Sequence, residues 1–156
     1  MTSARFISNI NCRTMTIHQL SIFLENKKGT MLHVLNMLKD AGIQVIASTI
    51  SDTVEYGIYR VICNNPSKAF ALLKEQGLSV TLSDVFAIEL DNTPGQAAQV
   101  FEAFCAGGIN ISYMYSFMLA GKGILIFRTS DTDRAREIIT LNQMRFISQD
   151  RLDDSL

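Results

Sequence analysis

Leu20-Ser-Ile-Phe-Leu-Glu-Asn-Lys-Lys-Gly29 and Phe86-Ala-Ile-Glu-Leu-Asp-Asn-Thr-Pro-Gly95 are one stretch read twice, 66 residues apart (86 − 20). A repeat sought before any motif decides the architecture. The register holds without a gap: Asn26 falls on Asn92, Gly29 on Gly95, Val34 on Val100, Gly42-Ile43 on Gly108-Ile109, Gly57-Ile58 on Gly123-Ile124 and Ala69 on Ala135. Identities are few, but three of them are glycines where the chain must turn.

Working outward, each copy reads strand, helix, strand, strand, helix, strand. Leu20, Ile22 and Leu24 alternate with Ser21, Phe23 and Glu25, as Phe86, Ile88 and Leu90 do with Ala87, Glu89 and Asp91, which is the period of a strand with one apolar face. Met31, Val34, Leu35, Leu38 and Ala41, matched by Ala97, Val100, Phe101, Phe104 and Gly107, follow at helical spacing, and Gly42 and Gly108 stop the helices. Ile43 to Ser51 with Gly57 to Cys63, and Ile109 to Met118 with Gly123 to Thr129, read as hairpins. Asn65-Pro66 and Ser130-Asp131 open the second helix of each copy, and Leu78 to Leu82 and Arg145 to Ile147 close the copies as short strands.

The order βαββαβ is the ferredoxin-like split βαβ. The expected fold is therefore α+β, two tandem ferredoxin-like units packed side by side, their sheets antiparallel with the helices on one face. A unit of this size buries too little surface to be comfortable alone. Expected boundaries are an extension at 1–15, a first unit at 16–83, a second at 84–152 and an acidic tail at 153–156. Between Ser79 and Ala87 there is no Gly, no Pro and no linker composition.

Composition excludes several classes. Lys+Arg 14 against Asp+Glu 15 lacks the basic surplus of a nucleic-acid binder. No apolar stretch approaches the roughly 20 residues that cross a bilayer, and the first residues lack the apolar run of a secretory signal. Cys12, Cys63 and Cys105 are odd in number and widely spaced, and with His18 and His33 they make neither a disulfide framework nor a metal pattern. Reduced thiols in the cytoplasm are the expectation, with Cys63 and Cys105 as small buried hydrophobes. No nucleophile stands with a base in any catalytic pattern, so the expectation is no enzyme, no cofactor and no metal.

The feature that bears on function is the loop that ends the first strand and opens the first helix, Asn26 to Thr30 and Asn92 to Gln96. Glycine there lets backbone approach a ligand, and the first helical turn offers unpaired N–H groups to a small carboxylate. Glycine is equally an ordinary way to turn from strand to helix. A second feature is Tyr113-Met-Tyr-Ser-Phe-Met118, whose alternation puts Ile109, Ile111, Tyr113, Tyr115 and Phe117 on one side, under the helices, and Met114 and Met118 on the other. Either the stripe is packing, with an uncovered face that would make a homodimer, or Tyr113, Tyr115 or Met114 lines a ligand's side chain.

The two glycine loops, with Asp91-Asn-Thr-Pro-Gly95 before a helix and Ala106-Gly-Gly-Ile-Asn-Ile111 leading into a strand, resemble the ACT domain family, specifically small proteins made of two tandem ACT domains. The resemblance runs from about His18 to about Arg151. It implies a regulatory module that binds a free amino acid at the interface between ACT domains, as a homodimer or beside an enzyme of amino-acid metabolism. Carried over, Asn26, Gly29, Thr30 and Met31 would face Asn110, Ser112 and Tyr113, while Asn92, Pro94, Gly95, Gln96 and Ala97 would face Gln44 and Ser48. The first copy has Lys28 where the second has Pro94, and Lys27 and Lys28 would add charge for a carboxylate there. The alternative is an interaction scaffold, or a regulatory subunit without a ligand of its own, in which the loops are only turns.

Overall fold

The computed structural model describes residues 15–53 and 55–156. Its elements run β1 (Thr16–Glu25), α1 (Thr30–Asp40), β2 (Val45–Asp52), β3 (Tyr56–Cys63), α2 (Pro66–Glu75), β4 (Ser79–Leu90), α3 (Gln96–Ala106), β5 (Ile111–Leu119), β6 (Lys122–Thr129), α4 (Thr132–Leu141) and α5 (Gln149–Asp154). The expected extension, with Cys12, lies outside the described residues apart from Met15. The chain resolves into two compact units, His18–Ser83 and Asp84–Ser155, the latter taking in residues 15–17.

The repeat is kept element by element. Thr30 and Gln96, Val45 and Ile111, Tyr56 and Lys122, and Pro66 and Thr132 each begin an element, always 66 apart. In the first unit the strand order is β2-β3-β1-β4, with Leu20 opposite Val61 and Leu24 opposite Gly57. In the second it is β5-β6-β4, with Phe86 opposite Phe127 and Leu90 opposite Gly123. On β4's other side the fourth strand is one antiparallel bridge, Ile88 to Phe146, held by the Glu89 N–H to Arg145 O (2.8 Å) and the Ile147 N–H to Ala87 O (2.8 Å). Each unit is thus ferredoxin-like. The strand closing the first copy and the strand opening the second are one element, β4, because nothing between Ser79 and Leu90 breaks an extended chain.

Each core joins one sheet face to two helices. Leu20, Ile22, Leu24, Tyr59, Val61 and Cys63 meet Val34, Leu38, Ala69 and Leu73 in the first unit. Phe86, Ile88, Leu125 and Phe127 meet Val100, Phe104, Ala135, Ile138 and Ile139 in the second. Phe127 stacks on Phe86 at 5.3 Å and tilts against Phe104 at 4.8 Å between ring centroids. Such fully buried side chains contribute about 1.5–3 kcal/mol each. All four core helices stop alike. After α1 the Gly42 N–H reaches Lys39 O and the Ile43 N–H reaches Leu38 O, and the same pair of bonds closes the others at Gly77, Gly108 and Gln143. This termination puts its turning residue at positive φ, here +71, +79, +74 and, in the absence of glycine, +51 at Gln143.

Four expectations are corrected. β2 and β5 each carry a bulge at the same repeat position, between Val45 and Ala47 and between Ile111 and Tyr113. The extra residue reverses the alternation. Met114 and Ser116 therefore share the helix-side face of Phe127 and Leu125, while Tyr113, Tyr115 and Phe117 share the opposite face with Arg128, Ile126 and Ile124. The aromatic stripe is not under the helices, and Met114 and Met118 remain exposed. Cys105 is exposed, because the residue after the inward Phe104 turns about 100° away, whereas Cys63 is buried. Residues 153 and 154 are not tail but the end of α5, anchored by buried Leu152 and by Arg151 on Glu89 (2.9 Å). Met15, assigned to the extension, packs in the second unit's core.

Candidate functional site

The two strand-to-helix loops adopt one conformation. Gly29 sits at φ +91, ψ −12 and Gly95 at φ +89, ψ −6, each as the residue before its helix, and neither helix has a side-chain cap. The glycine carbonyls accept the first intrahelical bonds, from the His33 N–H (3.0 Å) and the Gln99 N–H (3.1 Å). The glycines are required by this backbone and not by crowding, since a Cβ at either would meet nothing within 4 Å. A loop that turns at glycine with no capping side chain leaves first-turn N–H groups without an intrahelical partner at the positive end of the helix, although in the first loop the Thr30 N–H already reaches Lys27 O (3.3 Å). That is what a small carboxylate needs.

The remaining expected residues are placed as follows. Asn26, Asn92, Pro94 and Gly95 are exposed and Thr30, Gln96 and Ala97 half-buried. Met31 is half-buried too, but its side chain packs on the first core. Asn26 donates its backbone N–H to Glu55 O (3.0 Å). Gln44 and Asn64 are locked together, the Gln44 N–H on Asn64 Oδ1 (2.8 Å) and the Asn64 N–H on Gln44 O (3.1 Å), so the exposed Gln44 stands on a fixed backbone. Ser48, Asn110 and Ser112 are exposed and Tyr113 half-buried. Ser112 is the bulge itself. Bulges re-aim side chains next to functional sites, and here one falls in each of the two strand segments singled out by sequence.

Around the second loop stands a charged network that the sequence reading missed. Asp91 Oδ1 accepts from Lys122 Nζ (2.9 Å) and Arg145 Nη2 (2.6 Å), Arg145 Nε approaches Glu89 Oε1 (3.7 Å), and Arg151 binds Glu89 Oε2. The hydrogen bond from Lys122, then that from Arg145, holds the Asp91 carboxyl below its ordinary value of 3.8. The first unit has Glu25, Phe23, Tyr56 and Ser79 at the positions of Asp91, Glu89, Lys122 and Arg145. Among the described residues its counterpart is the pair of Glu25 with Lys27, whose ammonium that hydrogen bond keeps more firmly protonated. Charge appearing in one copy opposite neutral residues in the other was the signal available. Lys27, already paired with Glu25, is not a free cation for a ligand.

Among the described residues no group of His, Cys, Asp and Glu is arranged to hold a metal ion, and no helix is long and apolar enough to cross a membrane.

Two tandem ferredoxin-like units with matching glycine loops are the architecture of an ACT domain pair. The chain belongs to the ACT domain pair family, whose profile matches residues 15–156. Among solved structures it is similar to a protein from Bacteroides thetaiotaomicron, 33% identical with a TM-score of 0.85 over 90% of this chain and 98% of that one. It also resembles, in fold, the ligand-free regulatory subunit of aspartate kinase from Thermus thermophilus (16% identity, TM-score 0.57, 82% and 93% covered). The corresponding subunit from Thermus flavus shows 17% identity and a TM-score of 0.53, over 80% and 90%. A comparison with functionally curated proteins finds no match.

Proposed function

We propose that this protein is a non-catalytic regulator that binds a free amino acid. The observation that carries the reading is the duplicated, uncapped helix start at positive-φ glycine, at one register in both units. The first-turn N–H groups after Gly29 and Gly95, those of Met31 and of Gln96 and Ala97, hold the α-carboxylate, with Thr30 beside Met31. Side-chain oxygens of Asn26, Asn92, Asn110 and Gln44 accept from the ammonium group, with Ser48, Ser112 and Tyr113 beside them and Pro94 stiffening the second loop. The near-zero net charge of the chain suits a zwitterion held by dipoles. The output passes to an enzyme of amino-acid metabolism in the cytoplasm, and the working form is a homodimer.

A thermal-shift screen against the twenty amino acids tests this. A ligand at a hundred times its dissociation constant adds about 2.7 kcal/mol, and no shift for any amino acid would leave the loops as turns and the protein as a scaffold. Gly95→Asp has room for its side chain. The positive φ costs it about 1–2 kcal/mol, within reach of a folded domain, while its carboxylate repels the ligand's. Calorimetry should show one class of sites lost.

A further inference from the structure

α5 is a helix that exists because it docks. Its six residues fall well short of the roughly 12–15 that hold a helix together unaided. The chain is fixed just before it, where the Ile147 N–H binds Ala87 O (2.8 Å), and Ser148 Oγ caps it by accepting the Arg151 N–H (3.4 Å). Beyond that point Leu152 is its one buried residue, and Arg151 on Glu89 Oε2 (2.9 Å) ties it to the sheet. A cavity of about 220 Å³ separates Arg151 and Ser155 from the β5–β6 hairpin, with Leu119, Ile124 and Ile147 on its walls. The helix therefore rests over apolar surface without filling the space against it, and a void forfeits the contacts that would have held it.

Glu89 is where α5 meets the second glycine loop. Its side chain, 10% exposed, turns Oε2 to Arg151 and Oε1 to Arg145, whose Nε stands 3.7 Å away. Arg145 is drawn the other way, its Nη2 2.6 Å from Oδ1 of Asp91, the residue that leads into the loop at Asn92. Two arginines thus share one largely buried carboxylate, and Asp91 decides how far one of them competes for it. The first unit has no such arrangement: Phe23 stands at the position of Glu89, and the chain 66 residues before α5 is strand β4.

From the single apolar anchor, the void and the shared carboxylate, we infer that α5 is a releasable strap whose docking is set by the second glycine loop through Asp91, Arg145 and Glu89. When Asp91 lets go of Arg145, that guanidinium turns to Glu89 and displaces Arg151. α5 then lifts at its Ser148 hinge and opens the cavity walled by Ile124 and Ile147. A ligand at the loop moves α5 only as far as it changes the hold of Asp91 on Arg145. The ligand's part in this rests on the amino-acid reading above, whereas the coupling itself is tested without ligand.

Amide hydrogen exchange of α5 in the full chain is the readout, with α4 as the internal reference. In the wild type α5 should exchange at least about tenfold faster than α4, and Leu152→Ala should remove its protection while leaving that of α4. Asp91→Asn should speed exchange in α5 about two- to fivefold, the scale of one exposed ion pair. Arg145→Gln should slow it by a similar factor, because Glu89 is left to Arg151 alone. The double variant should match Arg145→Gln, since Asp91 acts through Arg145. Exchange in α5 as slow as in α4, or unmoved by Leu152→Ala, overturns the strap. An Asp91→Asn variant that leaves α5 unmoved or speeds α4 equally overturns the coupling, and so does a double variant that matches Asp91→Asn. These results stand whether or not any amino acid binds, so a failure of the ligand reading shows separately, in the thermal-shift screen.

Discussion

Gly29 and Gly95 share their backbone angles to within a few degrees, yet among the described residues the ion pair beside the first is Glu25 with Lys27, while the second is ringed by five charged groups joined through Asp91 and Glu89. What both copies keep is what the backbone demands: glycine at positive φ, the matched bulges and the same helix terminations. What has diverged is side-chain content, at the loop rim and under α3. A duplicated fold can hold its geometry constant and still present two different surfaces to a ligand.

The comparison can be broken at several points. Truncating the equivalent core residues should hurt the aromatic core most: Phe104→Ala is expected to cost about 3–5 kcal/mol and Leu38→Ala about 2–5. Urea unfolding of both variants checks the order, and a larger loss for Leu38→Ala would mean that the Phe86, Phe104 and Phe127 cluster is not the stronger core. Next is Gly107→Ala. Its Cβ would stand 2.2 Å from Ile138 Cδ1. The expected loss is about 1–3 kcal/mol, although the first unit holds Ala41 at this position without difficulty. Adding Ile138→Leu, which copies Leu72, should recover part of it, and additive losses in the double variant would show that the two side chains do not couple. Smaller again, Gly77→Gln should cost about 1 kcal/mol, since it imports the strain that Gln143 bears. Calorimetric melting should show that loss and a matching gain in Gln143→Gly, which relieves the same strain.

The smallest effect is electrostatic and depends on pH. The Asp91 carboxyl is lowered in the fold, so its stabilisation is complete above the ordinary value of 3.8 and disappears as pH falls through the lowered one. Wild type should therefore exceed Asp91→Asn by a constant margin above about pH 4 and converge with it in more acid solution. Acid titration of the two unfolding midpoints reads this directly. Convergence near neutrality would place the ion network elsewhere than on Asp91.

The periodicities of Leu20, Ile22 and Leu24 and of Phe86 and Ile88 were legible because one buried face imposes period two. The helix stops were legible because positive φ selects glycine. The turn of the Tyr113 stripe was not. A bulge adds one residue without a characteristic residue type, and Ile46 and Ser112 do not resemble one another. Gln143 hid the fourth helix termination for the opposite reason, since its side chain contradicts its own backbone. The end of α5 was misread because Asp153 and Asp154 look like a solvated tail, while a single apolar residue, Leu152, decides that the segment packs. At the site, the glycines and Asn92 were visible one by one. The partners of Asp91 lie 31 and 54 residues away and come together only when the sheet forms.

β4 places the division between the units, at Ser83 and Asp84, in the middle of a twelve-residue strand. Domain borders ordinarily fall in loops, where proteases nick and where evolution splices. Here neither has a foothold. The two copies cannot be traded as cassettes without cutting a strand in half.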